Sequence, residues 1–171
     1  TSSKKSTDVI YSPNEDCNTF MESLDLSSLC FTDEKTPEYE VERAQERSCQ
    51  FEIIPNDDNS DIHISIAYSD YENSIFADDE DPEMPKIMFE QTFKQKRTSK
   101  MFYTKSTSVN DLGDDAFIGY NENRNEKALA VRISNVSFTI QLGRTDTKKP
   151  CLLADDELIK FGHLLADQIK K

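Results

Sequence analysis

Glycine, histidine and net positive charge are what this chain has least of. Four glycines in 171 residues include no G-x-S-x-G, no G-x-G-x-x-G and no Walker loop. Nucleophile elbows and glycine-built phosphate cradles are thereby excluded. The two histidines, His63 and His163, are too few for a triad with alternatives or a His-rich metal site. Against 33 Asp and Glu stand only 20 Lys and Arg, a net charge of −13. No surplus of cations is left to displace phosphate counterions, which argues against nucleic acid. The same balance weighs against an anionic membrane surface. No apolar run approaches the roughly 18 residues of a membrane span. Carboxylate pairs are plentiful, but Asp114-Asp115 and Asp155-Asp156 are sequence neighbours. Neighbours do not present the opposed geometry of acid–base hydrolysis. The expectation is a protein without catalytic residues, cofactor or metal.

What is present suits one domain able to bury its own core. Charge is unevenly spread: residues 1–83 hold 5 Lys/Arg and 22 Asp/Glu, a net of −17, and residues 84–171 hold 15 and 11, a net of +4. The acidic half reads first as a solvated face, and second as a docking surface that steers a basic protein partner. Four cysteines, Cys17, Cys30, Cys49 and Cys151, form no C-x-x-C. An even count without a metal or redox motif favours two disulfides and an oxidising compartment. Three connectivities are open, and spacing does not choose among them. The chain starts at Thr1 rather than Met, and its opening TSSKKSTD suits a tether after a removed signal peptide, with or without a lipid anchor, or an arbitrary boundary.

Residues 1–16 are polar and read as a flexible tail, leaving 17–171 as a single α+β domain. Phe20, Met21, Leu24 and Leu29 predict a short helix over 18–29. Glu38 to Arg47 is helix-forming but poor in apolar residues, so it reads as an exposed helix or a long loop. At Cys49 the period becomes two. Cys49, Phe51 and Ile53, then Ile62, Ile64, Ile66 and Tyr68, predict two half-buried strands joined as a hairpin, with His63 on the polar face. The acidic stretch 70–85 lacks the glycine of a calcium loop and reads as a solvated loop. Lys86 to Lys96 predicts a helix, followed by a basic segment, Lys94 to Lys105, expected to pair with the protein's own carboxylates.

The most regular stretch runs from Val109 to Leu142. A strand around Phe117 and Tyr120 precedes two alternating runs. If Ser134-Asn135 is a two-residue turn, Ile133 faces Val136, Val131 faces Phe138 and Leu129 faces Ile140. Asn135 is expected to supply the positive φ of that turn, and Asn135-Val-Ser also matches a glycosylation acceptor. Leu158, Phe161, Leu165 and Ile169 form the apolar stripe of a terminal helix, with Gly162 permitting close approach to a strand and His163 at the stripe's edge. With the apolar face so covered, the binding surface is expected on the other side. Its candidates are Arg132, Thr139 and Gln141 on the sheet, and Asp111, Asp114 and Asp115 in the preceding loop.

Several of these segments occur in a familiar order: Cys17 before a short helix, a strand opening Cys49-Gln-Phe, then Asp111-Leu-Gly-Asp-Asp-Ala-Phe, Leu129-Ala-Val-Arg-Ile-Ser-Asn-Val and a terminal amphipathic helix. This order resembles a family of bacterial secreted lipoproteins of unknown function, related to the extracellular sensor domain of an actinobacterial receptor serine/threonine kinase. The resemblance implies an antiparallel sheet packed against helices, two-layer or sandwich-like, in a protein exported to the periplasm or cell envelope. It also implies Cys17–Cys49 as one disulfide, leaving Cys30–Cys151 as the other. Asn110-Asp111 and Ser134 stand where the family has glycines, and Cys30 and Cys151 are additional. The function expected is a non-catalytic extracytoplasmic binding or sensor domain for a protein or envelope ligand. The alternative is a periplasmic immunity protein that inhibits a secreted basic toxin enzyme.

Overall fold

Alternation of apolar side chains builds most of the sheet seen in the computed structural model, which describes residues 9–11, 17–30, 38–45, 48–54, 62–71, 81–143, 145 and 151–171. In chain order the elements are α1 (Cys17–Glu22), β1 (Glu38–Gln45), β2 (Ser48–Ile54), β3 (Ile62–Tyr68), α2 (Met84–Thr98), β4 (Lys105–Ser108), β5 (Asp115–Asn121), β6 (Glu126–Ile133), β7 (Val136–Leu142) and α3 (Asp155–Ile169). One seven-stranded sheet has the order β1-β2-β3-β7-β6-β5-β4, antiparallel throughout. Two meanders meet at its centre. The first, β1 to β3, ends beside β7; the chain then passes through α2 to the far edge and returns strand by strand. This is the α+β fold expected.

The hairpin register is the expected one, with Ile133 opposite Val136, Val131 opposite Phe138 and Leu129 opposite Ile140. Phe51, Ile64, Leu129, Phe138 and Ile140 are buried on one sheet face, and the stripe Leu158, Phe161, Leu165 and Ile169 of α3 packs onto them. Phe20, Met21, Leu24, Leu26 and Leu29 complete that core. A Cβ on Gly162 would stand 2.6 Å from Leu129 Cδ2 and 2.8 Å from Leu112 Cδ2, so the missing side chain does set the helix–strand distance. Lys127 secures the start of α3: its Nζ donates to Leu153 O and Asp155 Oδ1. Disulfides Cys17–Cys49 and Cys30–Cys151 tie α1 to β2 and the segment after α1 to the turn before α3. Two such bonds fit a chain that folds under oxidising conditions. Among the described residues no helix is long and apolar enough to cross a membrane.

Four expectations are corrected. Glu38–Gln45 is an edge strand, neither helix nor loop, because pairing with β2 outweighs helix propensity. A register shift between Val41 and Arg43 sets Tyr39, Val41 and Ala44 opposite Ile53, Phe51 and Cys49. The predicted helix over 18–29 stops at Glu22. There Asp25 accepts from Ser27 N at 3.2 Å, a local bond that competes with helix and caps a 3-10 turn at Leu26–Ser28. The positive φ of the hairpin turn falls on Ser134 (+50°), not on Asn135. Finally, α2 lies over part of the sheet face expected to be solvated. Phe93 meets Phe117 edge-on at 5.6 Å, beside Tyr103 at 5.5 Å from the same ring. Residues 55–61 and 72–80, within the expected hairpin connection and acidic loop, and residues 1–8 and 12–16, expected as a flexible tail, lie outside the described residues.

Candidate ligand-binding site

Arg132 is the centre of a polar cavity. On β6 it lies opposite Asp115 of β5 and Ser137 of β7, on the face that carries α2. Its side chain is only 11% exposed. Nη1 lies 3.5 Å from Glu90 Oε1 of α2 and 3.4 Å from Asp114 Oδ2, and donates to Ser134 O at 3.3 Å. The guanidinium therefore joins helix, loop and hairpin through charge-assisted contacts in a screened setting. Its Nε is buried with no hydrogen-bond partner among the described residues.

The loop before β5 is shaped to deliver Asp114. Asp111 and Gly113 both adopt positive φ, +64° and +66°. At Gly113 a side chain is barred, since a Cβ would stand 2.5 Å from Arg132 O. Leu112, between them, is 2% exposed and anchors the loop against α3. Asp114 N then donates to Arg132 O at 2.8 Å, and Asp114 Oδ2 accepts from Ser134 N. The two residues thus hold each other by backbone and side chain.

Other walls come from sites distant in sequence. Asn135 is 1% exposed, accepts from Tyr11 N at 2.8 Å, and donates to Tyr11 O at 2.8 Å and Ser69 O at 3.0 Å. That side chain splices the segment 9–11 onto the hairpin, and it is too enclosed in the fold to accept a glycan. Lys86 and Glu90 from α2 and Lys170 from the end of α3 close the cavity, whose volume is about 470 Å³. Tyr71 packs edge-on to Phe89 at 6.1 Å, and its hydroxyl is buried without a hydrogen-bond partner among the described residues. Burial pushes its pKa up to about 12; Arg132 opposes the shift, while Glu90 and Asp114 add to it.

Of the residues anticipated from sequence, the fold brings Asp114 and Arg132 into contact and places Asp115 across from Arg132. Asp111 is exposed at the outer side of the loop. Thr139 and Gln141 share the α2-facing side but lie two and four residues along β7 from Ser137, about 7 and 14 Å away. They are not part of this cavity. His63 lies opposite Gln141 and 3.9 Å from Glu52, with 42% of its side chain exposed. Lys86, Glu90 and Lys170 were not anticipated. Their only sequence signal was a charged residue on or beside a predicted helix, which is commonplace. A second, mostly apolar groove of about 310 Å³ lies under α2, between Met88, Phe89 and Phe93 on the helix and Ser137 on the sheet.

Chemically, Arg132 holds both neighbouring carboxylates as ion-pair partners, and Lys86 and Lys170 add two further cations. Such a set recognises polar or charged groups by hydrogen bonding. Among the described residues no three His, Cys, Asp or Glu cluster as a metal site, and all four cysteines are in disulfides. The fold and cavity define a disulfide-bonded α+β protein with a charged surface cavity. No family model, curated protein or solved structure matches this chain.

Proposed function

We propose that this protein is a non-catalytic extracytoplasmic binding domain that recognises a protein or envelope ligand through the cavity around Arg132. The observation that carries this reading is the construction of that cavity. Five separate segments converge on it, and Arg132 is immobilised by two carboxylates and a carbonyl before any ligand arrives. Preorganised polar groups lose little entropy on binding, which suits recognition. The two disulfides support residence in the periplasm or cell envelope. The order of segments supports kinship with the bacterial secreted lipoproteins and kinase sensor domains named above.

The test is affinity capture from the envelope and secreted fractions of the source cell, with the wild-type protein and a Lys86→Glu/Lys170→Glu variant side by side. One component retained by the wild type and lost by the variant is the expected result. Equal retention by both would move the binding surface away from the cavity. Capture and inhibition of a single basic secreted enzyme would identify an immunity protein instead.

A further inference from the structure

The corner where α2 gives way to β4 has the opposite charge to the chain as a whole. Lys94 to Lys105 contains Lys94, Lys96, Arg97, Lys100 and Lys105 and no carboxylate, in a protein of net charge −13. Internal pairing, the expectation from sequence, accounts for little of this. Of these five, only Lys105 forms an ion pair among the described residues, with Glu122. Arg97 donates to Ser108 and lies 5.9 Å from the centre of the Phe117 ring. Lys94, Lys96 and Lys100 are exposed, with no ion pair among the described residues.

At the same corner two large apolar side chains face water. Met101 is 70% exposed and Phe102 48%. Their turn is firmly held. Phe102 N and Tyr103 N donate to Ser99 O at 3.0 and 3.2 Å, and Thr104 N donates to Tyr120 O at 2.8 Å. Asn121, 3% exposed, donates from Nδ2 to Phe102 O at 2.9 Å, while its Oδ1 accepts from Asn123 N and Arg124 N at 3.1 and 3.2 Å. One buried amide thus staples the Ser99–Tyr103 turn to the β5–β6 turn and brings exposed Arg124 to the same end. Beneath, Tyr103 packs on Phe117 and over Gly119, where any Cβ would stand 2.4 Å from the ring. Together the segment Lys94 to Lys105 and the β5–β6 turn carry six cations, the five above and Arg124, against two carboxylates, Glu122 and Glu126.

We propose that this corner is a docking tip for an anionic lipid bilayer. Met101 and Phe102 enter the boundary between headgroups and acyl chains, and Lys94, Lys96, Lys100 and Arg124 rest on the lipid phosphates. Water-facing apolar side chains flanked by cations are the combination that binds such an interface. A single-stranded nucleic acid calls for successive aromatic platforms, and the apex offers one, Phe102, beside a methionine. An acidic protein partner would satisfy the cations but would not require an apolar apex. The net charge of −13 weighs against such a surface for the chain as a whole, but at 0.1 M salt exposed charges more than about 10 Å from the point of contact are largely screened. The local excess of cations decides at the point of touch. The apex at Met101 and Phe102 lies beyond the C-terminal end of α2, whereas Lys86 of the cavity stands in its first turn.

The chain contains no tryptophan, so Phe102→Trp places a single fluorescent reporter at the apex. The disulfide-bonded protein is mixed with vesicles of phosphatidylcholine alone or with added phosphatidylglycerol, and partitioning is read by co-sedimentation and by emission. The expected result is co-sedimentation and a blue shift only with the anionic vesicles, both reversed by high salt. Lys96→Ala/Lys100→Ala lowers partitioning roughly thirtyfold, with an unchanged melting temperature showing that the fold is intact. Met101→Ser lowers it as well. Absence of partitioning into anionic vesicles overturns the proposal, whether or not an acidic protein binds the corner instead. So does partitioning with no change in emission, or partitioning indifferent to the lysine substitutions.

Discussion

Replacing Gly162 by alanine sets two well-characterised effects against each other. In an exposed helix interior the change stabilises by about 0.5–1 kcal/mol, because alanine has less backbone freedom to lose on folding. At this position the new Cβ would lie 2.6 Å from Leu129 Cδ2 and 2.8 Å from Leu112 Cδ2. Both are methyl ends of flexible side chains, which would yield cheaply if there were space. There is none, since Leu129 is 0% and Leu112 2% exposed within the main core. Overpacking a full core costs about 1–3 kcal/mol. The clash outweighs the helix gain, for a net loss of about 1–2 kcal/mol. For a domain of this size that is a fall in Tm of about 3–6 °C. Thermal and urea unfolding followed by far-UV circular dichroism, with both disulfides oxidised, reads the change. Lys160→Ala, on the exposed side of the same helix, serves as the control and stays within about 0.5 kcal/mol of wild type. A Gly162→Ala protein more stable than wild type would refute the seating of α3 on Leu129 and Leu112.

Other positions test other joints of the structure. Asn135→Ala removes three hydrogen bonds at a 1% exposed site and costs about 2–4 kcal/mol, measured by urea denaturation. Although Asn135-Val-Ser is an acceptor sequence, folded protein treated with a glycosylating extract gains no mass at Asn135 by mass spectrometry. Opening the disulfides singly, as Cys→Ser pairs, destabilises by about 5 kcal/mol for Cys30–Cys151, separated by 121 residues, and about 4 for Cys17–Cys49, separated by 32. The reverse order of urea midpoints would contradict the loop-entropy account. Tyr71 titrates near pH 12, above an ordinary tyrosine. Because the folded value is the raised one, its share of stability is complete below about pH 10 and is lost between there and pH 12. Ultraviolet absorbance titration of wild type against Tyr71→Phe isolates that step, and a difference appearing near pH 10 instead would place the hydroxyl in water.

Where one sheet face is buried, periodicity reads correctly. A slip of one residue would turn Val131, Phe138 and Ile140 to the wrong side, so the β6–β7 register follows from pattern alone. The stripe of α3 and the role of Gly162 follow in the same way. Glu38–Gln45 fails because its local preference is helical, while its strand state depends on Ser48–Ile54 being there to pair with it. β4 fails because Lys105-Ser-Thr-Ser is exposed throughout and has no apolar phase to read. In the cavity, Arg132 was legible as a polar-face residue of the sheet and Asp114 as part of the loop at 111–115. Lys86, Glu90 and Lys170 were not, because a charged residue on a helix is ordinary until another element approaches it.

By itself the sequence determined the fold class, the central hairpin, the terminal helix that covers one sheet face, and the even cysteine count that calls for disulfides. Each of these depends on local chemistry or on a short repeat. Only the tertiary structure decided that α2 lies over the polar face, that Arg132 bridges Glu90 and Asp114, and that a basic, apolar-tipped corner stands out from an acidic chain. The reason is physical. A hydrophobic pattern specifies which side of an element is buried, whereas charges act on whatever they meet. What they meet is settled by where the helices and turns come to rest.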